Sequence, residues 1–132
     1  SVFGSLGTNL LTVKNADAFY DPSQAAFQNS LVNIENGKAY LVKVKTTTTL
    51  NVTGSLVGPT TLSLKSGWNL VGYPKQTSGA INTVLSGIWS SFTQMKDFNG
   101  FYIKGGTLNS LSTMTPNSGY FIKVNTDCTL TY

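Results

Sequence analysis

The chain has 132 residues, which suits one domain or two small units that share a core. Only 11% of its residues are charged, against about 25% in an average soluble domain, and all nine basic residues are Lys spread along the chain. Nucleic-acid binders usually present a dense patch that includes Arg, so this composition argues against a nucleic-acid partner. No stretch approaches the roughly 20 apolar residues of a membrane-spanning helix, so we expect no membrane insertion.

In chain order, the first half predicts short helical turns followed by strands. Residues 2–6 align with a predicted helix later in the chain, and Asp21 could cap a helical turn that runs to Phe27. Asn36-Gly37 is a turn dipeptide, and residues 40–45 alternate between apolar and Lys-bearing positions, which is typical of a half-buried strand. The β-branched run Thr46–Thr49 then predicts a further strand.

The second half predicts more strands and one short helix. Residues 62–71 indicate a strand pair around Gly67, where a turn or bulge needs a residue without Cβ. Apolar spacing over residues 80–88 favours an amphipathic helix. Strands at 120–125 and 128–132 follow the turn dipeptide Pro116-Asn117. We predict an all-β fold with one or two short helices, arranged as a β-sandwich, while a barrel or trefoil-like closure remains open.

An internal repeat relates the two halves. Residues 29–44 and 109–124 share Asn, Ser, Leu, Tyr, Lys and Val at a constant offset of 80, and the matches upstream have an offset of 82. We therefore predict a single module, 1–132, built from a first copy at about 1–57 and a second at about 58–132, joined near Val57–Thr60. The second copy has a leader, about Thr60–Asn82, that the first lacks. This predicts a first copy truncated at its N-terminus, within a larger multidomain protein.

Two segments, Ser66–Pro74 and Pro116–Val124, resemble a repeat of many secreted bacterial and archaeal proteins. In that family a "GWNL" strand precedes a variable, aromatic-rich middle and a "GYWI-V" strand. Phe121 and Leu41 stand where the family has the Trp of "GYW", and Ala39 replaces its Gly. The resemblance implies an accessory module attached to hydrolases, adhesins or surface-layer proteins, and an extracellular or cell-surface location.

Catalytic chemistry has few candidate residues in this sequence. The chain has no His and one Cys, Cys128, so Ser-His and Cys-His systems and a zinc site are not expected. The acidic residues, which are Asp17, Asp21, Glu35, Asp97 and Asp127, are interpreted as turn and cap residues. A calcium site at Asp17 and Asp21 and a minimal hydrolase remain alternatives. We predict a protein that is not an enzyme and has no cofactor.

Aromatic residues offer the main indication of a binding site. Aromatic rings can stack on the C–H faces of sugars while amide side chains bond to their hydroxyls. The predicted site residues are Trp89, Phe98, Tyr102, Gln94 and Asn99 in the second copy and Tyr20 in the first. Trp68 and Tyr120 are instead expected in the core. The sequence thus favours a carbohydrate-binding module whose partner is a polysaccharide or cell-surface glycan. The alternative is a structural or adhesive surface module without sugar binding.

Overall fold

The structure, a computed structural model, describes residues 1–56 and 58–132. The chain forms two compact units: unit 1 comprises Ser1–Glu35 and Tyr40–Leu56, and unit 2 comprises Asn36–Ala39 and Val57–Tyr132. The described residues form antiparallel strands and a few short helical segments, which confirms the all-β prediction. Val57, at the start of the predicted joint Val57–Thr60, lies outside the described residues.

Unit 1 contains a three-stranded antiparallel sheet. Strands β1 (Leu10–Lys14), β2 (Phe19–Tyr20) and β3 (Leu41–Val44) are arranged in the order β2-β1-β3. Two 3₁₀ segments, Gly4–Asn9 and Ala26–Gln28, complete its regular structure. Its buried residues are Leu6, Leu10 and Val13, against which Phe3, Tyr20, Leu31, Tyr40 and Val44 pack.

The described part of unit 2 contains eight strands and two short helical segments. The strands are β4 (Thr61–Leu64), β5 (Gly67–Gly72), β6 (Gly79–Ala80), β7 (Phe92–Lys96), β8 (Phe101–Ile103), β9 (Thr113–Met114), β10 (Gly119–Val124) and β11 (Cys128–Thr131). The helical turn α1 (Ile81–Val84) and the 3₁₀ segment Ser86–Ile88 confirm the short helix predicted there. A four-stranded sheet has the order β5-β10-β7-β8, and β11 pairs with β4 and β6 with β9.

The core of unit 2 follows from strand alternation. Tyr120, Ile122 and Val124 on β10 are at most 2% exposed, whereas the residues between them are half-buried. Successive side chains of a strand point to opposite faces, so these three face the interior. The whole cluster comprises Leu64, Val71, Tyr73, Ile81, Leu85, Ile88, Phe92, Met95, Met114, Tyr120, Ile122, Val124 and Leu130. The predicted core position of Tyr120 is thereby confirmed.

Two tyrosines hold the turns before β3 and β10 in the same way. The Tyr40 hydroxyl accepts a hydrogen bond of 2.9 Å from the amide of Glu35. The Tyr120 hydroxyl accepts one of 2.9 Å from the amide of Thr115. Both tyrosines bond to the amide five residues earlier, so the two units share this contact at the sequence offset of 80.

The turns that follow β1 and β7 also share a contact. The side-chain oxygen of Asn15 accepts hydrogen bonds from the amides two and three residues later, both at 2.9 Å. The Asp97 carboxylate does the same at 2.7 Å. In addition, the β1–β3 pairing has a register irregularity between Leu10 and Thr12, and the β7–β10 pairing has one between Phe92 and Gln94. The two sheets therefore share turn chemistry and register.

Two predictions for unit 1 are wrong in detail. Residues 46–50, which include the run Thr46–Thr49, form no strand, because no partner strand lies beside them in the described part of unit 1. Asp21 does not cap a helix. Its carboxylate accepts hydrogen bonds from the amide and hydroxyl of Ser23 at 2.8 and 2.7 Å, and it holds a turn before the 3₁₀ segment.

Two predictions about turns are confirmed. Gly67 has φ +101° and joins β4 to β5, in a conformation that favours glycine. Gly37 and Asn117, within the two turn dipeptides, have φ +77° and +61°. These turns set the positions at which the flanking strands enter their sheets.

Candidate functional site: the outer face of the four-stranded sheet

The outer sheet face of unit 2 is the side of the four-stranded sheet that points away from its core. Strand register fixes its members, because residues paired across neighbouring strands lie on the same face. One row runs Trp68, Lys123, Gln94 and Ile103 from β5 to β8. The next row runs Leu70, Phe121, Lys96 and Phe101 in the same direction. Four strands thus bring eight side chains onto one surface.

Large apolar side chains are exposed on this face. Trp68 is 45% exposed, Phe101 43% and Ile103 45%. The expectation that Trp68 belongs to the core is therefore wrong. It stands three residues before the buried Val71, and an odd separation along a strand places the two side chains on opposite faces.

Two lysines lie against these rings. Lys96 Nζ is 4.9 Å from the Trp68 ring centroid and 5.8 Å from that of Phe121, and Lys123 Nζ is 5.9 Å from Trp68. A cation within about 6 Å of a ring face is attracted by the ring quadrupole. None of the outward positions on these four described strands is acidic. The face combines aromatic surface, one amide and positive charge.

The structure brings only one of the predicted site residues onto the outer sheet face. Gln94 lies in its first row, beside Lys123. Phe98 is 85% exposed and, with the exposed Asn99, occupies the turn between β7 and β8. These two residues stand at the end of the sheet and not on its face.

Trp89 and Tyr102 pack against the core of unit 2. The Trp89 ring stacks on Phe92 at 5.2 Å between centroids and lies 6.2 Å from Tyr102. Lys104 Nζ donates a hydrogen bond to the Trp89 carbonyl and lies 5.4 Å from its ring centroid. Tyr20 packs against the core of unit 1. These three rings are half-buried, so they offer little surface for stacking on a ligand.

Most residues of the outer sheet face were not among the predicted site residues. The alternation of Tyr120 and Ile122 with Phe121 and Lys123 along β10 indicates that Phe121 and Lys123 point outward, but periodicity within one strand does not show which strands lie beside it. Alternation along β5 leads to a similar conclusion for Trp68. If the apolar Val71 faces the core, Trp68, three residues earlier, must point to the outer face. The pairing of β8 beside β7 carries Phe101 onto the face, and strand order cannot be read from periodicity.

The carboxylates of unit 2, Asp97 and Asp127, accept hydrogen bonds that stabilise the neighbouring turns. Asp127 accepts hydrogen bonds of 2.8 Å from Lys65 Nζ and 2.9 Å from the Ser66 amide, and these bonds lower its pKa below the usual range. Among the described residues, no group of three or more His, Cys, Asp or Glu could hold a metal ion. The half-buried Cys128 has a pKa raised chiefly by burial, which disfavours the reactive thiolate.

Comparisons with protein-family models, with curated protein sequences and with solved structures found no match. No helix in the described part of the chain is both long and apolar enough to cross a membrane.

Proposed function

We propose that the chain is a non-catalytic carbohydrate-binding module that holds a glycan on the outer sheet face of unit 2. The observation that supports this proposal best is the exposure of Trp68 and Phe101 on one side of the sheet, in line with Gln94 and two lysines. Exposed aromatic rings offer flat apolar surface to the C–H faces of sugar rings. The amide and ammonium groups can bond to the hydroxyls around them.

The dimensions and charge of the face favour a particular kind of glycan. Neighbouring strands lie about 4.8 Å apart, so the four strands span roughly 14 Å from β5 to β8. An extended chain of sugars suits such a surface better than a single sugar in a pocket. Lys96 and Lys123, without an acidic neighbour at the outward positions of these described strands, favour a polysaccharide or cell-surface glycan that carries carboxylate or sulfate groups.

The proposed module has a duplicated β-sandwich architecture and an extracellular location. The shared hydrogen bonds of Tyr40 and Tyr120, and of Asn15 and Asp97, support a β-sandwich module, 1–132, built from two copies of one unit. The low charge and the resemblance to secreted bacterial repeats support an extracellular or cell-surface location within a larger multidomain protein. In that setting the module would keep a parent polysaccharide-degrading protein on its substrate.

Affinity electrophoresis with neutral and acidic polysaccharides tests the proposal. The informative variants are Trp68→Ala and Phe101→Ala. The matched control is Phe19→Ala, which removes the counterpart of Phe101 in unit 1, itself 45% exposed. Loss of one stacking ring should weaken binding about tenfold, equivalent to about 1.4 kcal/mol. Failure of every polysaccharide to retard the protein, or equal effects of Trp68→Ala and Phe19→Ala, would contradict the proposal.

A structural or adhesive surface module is the second candidate. Several large apolar side chains outside the outer sheet face are almost fully exposed, namely Phe27, Val32, Leu56, Phe98 and Leu108. Exposed apolar side chains can form contacts with other proteins. Under this alternative no glycan would retard the protein, and Trp68→Ala would leave its mobility unchanged.

A further inference from the structure

The outer sheet face of unit 2 has a charged half and a neutral half. Lys96 and Lys123 are the charged residues among its eight described outward side chains. Both ammonium groups lie near the Trp68 ring on the β5 side of the face, at 4.9 and 5.9 Å from its centroid, and these three side chains form the charged half. The neutral half, toward β8, consists of uncharged side chains, namely Gln94, Phe101 and Ile103.

The position of the Lys96 ammonium group sharpens this division. Lys96 belongs to β7 and pairs with Phe121 on β10. Its Nζ is nevertheless closer to the Trp68 ring, two strands away, than to the Phe121 ring, at 4.9 Å against 5.8 Å. The side chain therefore extends across β10 toward β5 and carries its charge away from the neutral half.

No carboxylate at the outward positions of these described strands offsets the two charges. The acidic residues of unit 2 are Asp97 and Asp127. Asp97 accepts hydrogen bonds from two amides of the turn between β7 and β8, and Asp127 accepts them from Lys65 Nζ and from the Ser66 amide. Two like charges thus converge on one ring, and an anion placed between them would be attracted to both.

The short distance between the ammonium groups and the Trp68 ring favours an anion that belongs to the stacked sugar itself. In a uronic acid the carboxylate is bonded directly to a ring carbon, so it lies at the edge of the C–H face that stacks on an aromatic ring. Its two oxygens can accept hydrogen bonds from two ammonium groups. Because a carboxylate has a full charge, it attracts these groups more strongly than the quadrupole of the indole ring does. Binding therefore moves the ammonium groups from the ring to the carboxylate.

The neutral half suits a sugar without charge. Phe101 and Ile103 are 43% and 45% exposed, and Gln94 offers one amide group. A second carboxylate over these apolar side chains would lose hydration without an ammonium partner. The four strands span roughly 14 Å, which leaves room for more than one sugar ring. The sugar next to the uronic acid is therefore expected to be neutral.

We propose that unit 2 recognises a mixed polysaccharide in which a uronic acid is followed by a neutral sugar. The uronic acid stacks on Trp68 with its carboxylate between Lys96 and Lys123. The neutral sugar lies over Phe101 and bonds to the Gln94 amide. This inference rests on the proposed function, to which it adds the composition of the glycan and its orientation on the sheet.

A polysaccharide compared with and without its carboxylates provides the test. Hyaluronan, in which glucuronic acid alternates with N-acetylglucosamine, is the probe, and carboxyl-reduced hyaluronan is its control because the linkages are the same. Unsulfated chondroitin has the same alternation with a different neutral sugar. Titration of hyaluronan or chondroitin into the ¹⁵N-labelled protein should shift the signals of Trp68 and Lys123, and carboxyl reduction should raise the Kd about tenfold. Polygalacturonate, which has a carboxylate on every sugar, should bind more weakly than the alternating polymers.

Three variants test the two halves of the face. Lys96→Gln and Lys123→Gln together should lower the preference for hyaluronan over its carboxyl-reduced form from about tenfold to about one. Lys45→Gln and Lys75→Gln together remove the same charge at exposed positions elsewhere and should leave this preference intact. Ile103→Lys adds a positive charge to the neutral half and should strengthen the binding of polygalacturonate about fivefold.

Failure of this inference can be told apart from failure of the proposed function. If glycans bind through Trp68 but carboxyl reduction leaves the Kd unchanged, the module binds glycan without the proposed composition. The same conclusion follows if polygalacturonate binds as tightly as hyaluronan and chondroitin, or if a neutral polysaccharide binds and those two do not. If no polysaccharide binds, neutral or acidic, the proposed function fails and this inference fails with it. The comparison of polymers uses the unaltered protein, so the inference can fail even if a variant does not fold.

Discussion

Leu130 and Leu50 occupy matching positions in the two sequence copies, and their truncation to Ala should have unequal effects. Leu130 is 1% exposed and belongs to the core of unit 2, whereas Leu50 is 37% exposed and lies outside any strand. Leu→Ala removes three carbon groups, which at about 0.8 kcal/mol each amounts to roughly 2.4 kcal/mol. The residual cavity adds to this cost, so we expect Leu130→Ala to lower the free energy of unfolding by about 3 kcal/mol. Leu50→Ala should cost less than about 1 kcal/mol.

Urea unfolding measures both effects. Both tryptophans, Trp68 and Trp89, belong to unit 2, so their fluorescence reports the unfolding of that unit, while far-ultraviolet circular dichroism reports both units. With a urea dependence of about 1.5 kcal/mol per molar, a loss of 3 kcal/mol moves the midpoint by roughly 2 M. Leu50→Ala should leave the fluorescence midpoint nearly unchanged. Equal shifts for the two variants in circular dichroism would refute the reasoning, because Leu50 would then be as buried as Leu130.

Three further predictions follow from local geometry. Cys128 should react slowly with a thiol reagent at neutral pH because burial raises its pKa, whereas a Thr48→Cys, Cys128→Ser variant should react quickly, since position 48 is exposed. Gly72→Ala places a Cβ 2.7 Å from the Lys38 carbonyl oxygen and should lower the thermal midpoint clearly, whereas Gly87→Ala meets no atom within 4 Å and should have little effect. The pKa of Asp127 is lowered in the folded chain. Its contribution to stability should therefore be complete above the unfolded pKa of about 3.9 and lost as pH falls through the folded pKa, which a carboxyl NMR titration against Asp127→Asn can follow.

The fold class and the β10 strand could be predicted from sequence because their signals are local. Tyr120, Ile122 and Val124 alternate with Phe121, Lys123 and Asn125 in the sequence, and the turn dipeptide Pro116-Asn117 precedes them. These features depend on residues adjacent in the chain. They can be recognised in the sequence without knowing which strands pair with each other.

The candidate site could not be predicted to the same extent because it depends on strand order. Trp68 and Phe101 reach one face only because β5 and β8 lie in the same sheet, with β10 and β7 between them. Trp89 is a residue type that often stacks on sugar rings, yet in this structure its ring packs on Phe92. Residue type alone does not distinguish a ring that fills a core from one that faces solvent.

The two Thr-Leu pairs at residues 49–50 and 129–130 show what decides strand formation here. Both pairs have high β propensity, and the local sequence predicts a strand at each. Thr129-Leu130 lies in β11 and pairs with β4, while Thr49-Leu50 has no such partner and forms no strand. Propensity is therefore not sufficient, because the cost of ordering a strand is recovered only when a neighbour takes its hydrogen bonds and buries its apolar side chain.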